Sequence, residues 1–159
     1  MVSSATGNAG EYLVMAELLL RDFDAYLAGR ENPAFDIACF ANPSRRATRL
    51  RVKTTTDGRA KYSTKTDGSL FRQLSQQDDF VVIANVSQAL IRHEFYVVPT
   101  KVVERHLKSD FEHYIGYPNR NADSKMRCLT FYGEERESDR GYGYDKKFAS
   151  YLGAWDQLK

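Results

Sequence analysis

Cysteine and histidine are scarce in this chain. Its 159 residues contain two cysteines, Cys39 and Cys128, and three histidines, His93, His106 and His113, each isolated from the others. Such scattered residues give neither a disulfide framework nor a zinc-ligand spacing. Both cysteines read as reduced, small hydrophobic side chains. No G-x-x-x-x-G-K-[ST] loop is present to cradle a phosphate, and no G-x-S-x-G elbow to expose a serine. No window reaches the roughly 20 apolar residues that span a bilayer, and the opening MVSSATGNAG lacks the apolar stretch of a secretory signal. A cytoplasmic protein with no membrane partner is the expectation. No repeat is visible at a fixed period.

Net charge is also slight, at +2. Its distribution is not. Between Arg45 and Arg72 nine basic residues face only Asp57 and Asp67, so this stretch carries +7 and the rest of the chain −5. A cationic third on an acidic body suits a polyanion; the plainer reading is a solvated loop.

The length fits one domain with a substantial core. NAGEYLVMAELLLRD reads as a helix with a broad apolar face, and Ser4, Thr6 and Asn8 offer capping groups upstream. Glu11 then falls in the first turn, where a carboxylate complements the helix dipole. FDAYLAG fits a short strand or a continuation of that helix. AFDIACF and TRLRVKTTT alternate as strands and form a hairpin. Residues 57 to 68 read as a polar loop, and SLFRQLSQQ as a short helix capped by Ser69. DFVVIANV is an apolar strand buried on both faces. EFYVVP is a further strand and TKVVERHLKSD an amphipathic helix capped by Thr100. RCLTFY fits a strand, GEERESDRGYGYD a charged loop, and KKFASYLGAWDQL a helix that anchors Trp155 in the core.

Asp36 is the informative residue of the first hairpin. A carboxylate between Phe35 and Ile37 needs a cation, backbone amides or a metal. Lys53 lies on the neighbouring strand. The pair is either a plain salt bridge or a site in which Asp36 helps to hold Mg²⁺ while Lys53 orients or deprotonates an attacking water.

GNAGE on the first helix, AFDIACF on a strand and the strand end RVKTTT together resemble the PD-(D/E)xK nuclease superfamily, in particular small bacterial members with an x-V-K-T third strand. The resemblance implies a restriction endonuclease-like α/β fold: an αβββαβ core with a mixed sheet flanked by helices. It implies one domain over residues 1–159, with its core at about 7–108 and a C-terminal extension over 109–159. It implies a metal-dependent endonuclease acting on DNA, with Mg²⁺ or Mn²⁺ as cofactor and a homodimer as a common arrangement. Glu11, Asp36 and Lys53 take the catalytic positions, with Glu11 and Asp36 as metal ligands. Arg45, Arg46, Arg49, Arg51, Thr55, Arg59, Lys61 and Lys65 are the expected nucleic-acid contacts. The family's middle acidic or Gln position falls on Arg51, which cannot ligate a metal. At about 4 Å its charge would oppose a divalent ion by several kcal/mol at an effective dielectric of about 20. Either Glu11 fills that role, or Arg51 turns to a phosphate, or the site has lost its metal. The alternative is therefore a catalytically inactive protein of the same fold that binds nucleic acid or a protein partner.

Overall fold

A computed structural model describes residues 4–29, 32, 34–41, 47–71, 79–86, 93–134 and 141–159. Helix α1 (Ser4–Leu19) is followed by strands β1 (Phe23–Leu27), β2 (Ile37–Ala41), β3 (Ala47–Thr55) and β4 (Arg59–Ser63). Then come β5 (Asp79–Asn85), β6 (Glu94–Pro99), helix α2 (Thr100–Ile115), β7 (Met126–Thr130) and a single turn α3 (Tyr144–Lys147). Five strands make one mixed sheet in the order β1-β2-β3-β5-β6, and β4 and β7 make a separate two-stranded ribbon. In the main sheet only the β3–β5 pair is parallel. The mixed sheet with helices on its faces is the α/β arrangement expected.

The core divides by strand parity. All seven residues of β5 are buried. Phe80, Val82 and Ala84 point to a cluster with Val14 and Leu18 of α1, Leu50 of β3 and Trp155. Val81 and Ile83 point the other way, to Val103 and Leu107 of α2, Leu129 of β7 and Phe148. A strand sandwiched in this way has no polar face to show, which is why DFVVIANV lacks alternation. At the start of the parallel pair, Arg49 lies opposite Asp79. Arg49 Nε and Nη2 donate to the Asp79 carboxylate at 2.8 and 2.7 Å, and Asp79 is 2% exposed.

Several expectations need correction. α1 begins at Ser4, so Thr6 and Asn8 lie inside it and Glu11 is two turns in, away from the dipole-favoured first turn. FDAYL is strand β1, an edge strand paired with β2. Residues 57 to 68 are not all loop: Arg59–Ser63 form β4, with Ala60 and Tyr62 buried and the residues between exposed. Thr100 does not cap α2, because its side chain is buried and makes no capping bond; Pro99 precedes the first turn. The C-terminal segment is not one helix. α3 gives way to 3₁₀ turns at Ala149–Tyr151 and Trp155–Leu158, separated at Gly153, whose φ is +61°. Trp155 nevertheless anchors it, 4% exposed and 5.7 Å from the Phe95 ring. The helix expected over SLFRQLSQQ falls mainly on residues 72–78, outside the described residues, as do Arg45 and Arg46.

Candidate functional site

Asp36 sits one residue ahead of β2, where the β2–β3 ladder runs out. Its N–H still donates to the Leu50 carbonyl at 2.9 Å. Beyond that point its carboxylate takes over the acceptor role of the backbone: Val52 N–H donates to Asp36 Oδ2 at 2.8 Å. The half-buried carboxylate is thus satisfied by an amide and a cation. The cation is Arg51, whose Nε lies 3.5 Å from the same oxygen, and not Lys53 as a plain salt bridge would require. The Asp36 and Arg51 side chains are 19% and 35% exposed.

Lys53 follows Arg51 by two residues and so projects to the same face of β3. Its ammonium stands 5.3 Å from the centre of the Tyr62 ring, brought over by β4. Phe71 meets that ring edge-on at 5.6 Å. Burial lowers the Lys53 pKa below its ordinary 10.5, the Arg51 charge lowers it further, and Cys128 pulls it part of the way back. The Tyr62 hydroxyl is buried with no hydrogen-bond partner among the described residues, and burial pushes its pKa up.

Glu11 arrives through a close helix–strand contact. A Cβ on Gly10 would lie 2.0 Å from Thr54 Oγ1 and 2.9 Å from Thr54 Cβ. Only glycine lets α1 settle this near β3, and the next residue is Glu11. Thr54 Oγ1 also reaches the Gly7 carbonyl at 3.4 Å. The GNAGE stretch therefore serves as a docking strip for the helix.

Glu11, Asp36, Arg51 and Lys53 all line one cavity of about 400 Å³. Its other wall comes from β4 and the loop after it, with Lys61, Tyr62 and Lys65 on the lining. Four cations and two carboxylates surround the space, so it is electropositive overall. The remaining expected contacts divide. Arg59 is exposed and paired with Asp57 at 3.1 Å. Arg49 is committed to Asp79, a structural role. Thr55 is 0% exposed and its hydroxyl donates to Asp57 at 3.1 Å, so its side chain shapes a turn. Tyr62 and Phe71 were not anticipated. The Ala60–Tyr62 alternation was their one signal, drowned by the surrounding Lys, Ser, Thr and Gly.

Among the described residues no group of three or more His, Cys, Asp or Glu side chains could hold a metal. The donor set at the cavity is two carboxylates, one oxygen of which already accepts the Val52 amide. That is too few for a self-sufficient cage. It matches the habit of Mg²⁺, which keeps several waters and takes one or two carboxylates together with substrate phosphates. The residues fit such an ion in company with a phosphate.

The chain matches no protein-family model, and no curated protein matches it in sequence. Among solved structures, a bacterial homing endonuclease, I-Ssp6803I, aligns with 99% of this chain and 92% of its own, at 17% identity and a TM-score of 0.51. A Holliday junction resolvase, Hjc of Archaeoglobus fulgidus, aligns with 78% of this chain and 83% of its own, at 14% identity and a TM-score of 0.44. The homing-endonuclease likeness speaks for the fold, the restriction endonuclease-like architecture. Among the described residues no helix is long and apolar enough to cross a membrane.

Proposed function

We propose that the chain is an endonuclease that hydrolyses phosphodiester bonds of DNA with Mg²⁺ or Mn²⁺. The observation that carries this is the meeting of Glu11, Asp36 and Lys53, from three separate elements, on one electropositive cavity. Glu11 and Asp36 would hold the ion, which when bound supplies Lewis-acid stabilisation of the phosphoryl oxygens. Arg51 and Lys65 receive the phosphate and neutralise its charge. Lys53 Nζ, its pKa lowered by burial and by the Arg51 charge, takes a proton from water. The water oxygen bonds to phosphorus, and the bond from phosphorus to the leaving oxygen breaks.

A second reading has one observation in its favour. Arg51 lies against the oxygen of Asp36, so a cation of the chain stands where an ion's charge would be needed. A protein of this fold that binds nucleic acid without cutting it would look the same. The deciding experiment is incubation with supercoiled plasmid, branched DNA and single-stranded DNA in Mg²⁺ or Mn²⁺. Nicking that disappears in Asp36→Ala and Lys53→Ala supports hydrolysis. No cleavage of any substrate in either ion leaves the binding reading.

A further inference from the structure

A strand at RCLTFY was expected, but β4 and its pairing with β7 into a ribbon were not, and the ribbon is not needed to complete the main sheet. It is built by a specific turn. Asp57 accepts from the Thr55 hydroxyl and the Arg59 amide at 3.1 and 3.0 Å, and Gly58 adopts a φ of +71°. The chain leaves the main sheet there and runs along the cavity as β4. The inner face of the ribbon, with Ala60 and Leu129 at 0% exposure, is fixed to the second core cluster. Its outer face carries Arg59 and Lys61 on β4, both exposed.

The charge of this ribbon is of one sign. Neither strand contains an Asp or Glu. Lys61 makes no ion pair among the described residues, and neither does Lys65 just beyond the strand. Among the described residues Arg59 pairs with exposed Asp57, a contact of little worth that a phosphate can displace. Two strands side by side, with their side chains, are about 10 Å across, which fits the roughly 12 Å major groove and not the roughly 6 Å minor groove. Met126, 49% exposed and paired with Ser63, adds an apolar group to the same face.

We propose that the β4–β7 ribbon enters the major groove of duplex DNA with its outer face toward the bases, so that β4 guides the adjoining backbone into the cavity. This rests on the reading of the chain as a DNA enzyme, and adds that base edges are read by a ribbon.

The test is binding of the full chain to a guanine-containing duplex in EDTA, where hydrolysis plays no part. Titrations across a salt series are run for the wild type, for Arg59→Gln/Lys61→Gln and for a control, Lys101→Gln/Lys108→Gln on α2. Dimethyl sulfate footprints are taken in parallel, since guanine N7 lies in the major groove and adenine N3 in the minor. The wild type should protect guanine N7. The ribbon variant should lose that protection, bind at least about tenfold more weakly at 0.1 M salt and flatten the slope of log K against log salt by about two. The control should keep wild-type footprint and slope. Unchanged binding by the ribbon variant, or protection of adenine N3 alone, overturns the ribbon while leaving the enzyme reading intact. No duplex binding at low salt likewise overturns the ribbon, and the enzyme reading then rests on the cleavage assays in Mg²⁺ or Mn²⁺.

Discussion

The Arg51 guanidinium lies 3.5 Å from the Asp36 carboxylate, on the same face of β3 as Lys53. A positive group in that place weakens the pull of the pocket on a free divalent ion. Replacing it with a neutral amide, Arg51→Gln, should raise Mn²⁺ affinity about tenfold. That is a modest share of the several kcal/mol that Coulomb's law gives at this range, because both side chains are partly open to water. Isothermal calorimetry without DNA reads it directly. A titration identical to wild type would mean that Glu11 and Asp36 do not share an ion.

Gly10 should be intolerant of even one methyl group. The Cβ of Gly10→Ala would stand 2.0 Å from Thr54 Oγ1, and a threonine side chain has little freedom to yield. The cost should be about 1–3 kcal/mol in urea unfolding. Thr54→Ala in the same protein should recover part of it, because the hydroxyl and methyl of Thr54 are then gone while its Cβ remains at 2.9 Å. Additive effects of the two changes would show that the helix is not seated on Thr54.

The Arg49–Asp79 pair should behave as structure, not as DNA contact. Arg49→Leu removes the two-bond Arg49 partner of buried Asp79 and should cost about 3 kcal/mol. Arg49→Leu/Asp79→Leu should return most of that stability. In the stable double variant the salt dependence of DNA binding should match wild type. A reduced salt slope there would restore Arg49 to the list of phosphate contacts.

The pH dependence of cleavage should report Lys53. Its folded pKa lies below the ordinary 10.5 because burial and Arg51 both disfavour the ammonium. A lowered pKa enlarges the free-amine fraction at a given pH, so the rate should climb with pH and level off above that folded value. Folding has the same sign. Between the two pKa values the unfolded chain binds more protons at this site, so its contribution to stability increases as pH rises toward 10.5. Tyr62→Leu removes the ring beneath the ammonium and should shift the rate midpoint, whereas Tyr62→Phe should keep it. Equal midpoints in all three proteins would mean that Lys53 is not the titrating group.

Much of this was legible in the residues because local patterns carried it. The alternation in RLRVKTTT placed Arg51 and Lys53 on one face, and the unbroken apolar run of DFVVIANV marked the central strand. What escaped detection depended on distant partners. RAKYS has only two inward residues, Ala60 and Tyr62, and becomes a strand because β7 arrives to pair with it. The contact between Gly10 and Thr54 is likewise invisible along the chain, since a glycine near a helix start looks like any other. At the C-terminus, apolar spacing suggested a helix, but Gly153 turns the backbone and Leu152 bridges to Tyr96. Tertiary pairing overrode local preference there.

The two strands of the ribbon come from positions 59–63 and 126–130, so on a ribosome the first must wait for the second. The strand carrying Lys53 also waits, for the parallel partner at 79–85. A growing chain thus exposes its basic stretch long before the scaffold that aims it exists. Order of synthesis makes the groove-facing element among the last parts to be assembled.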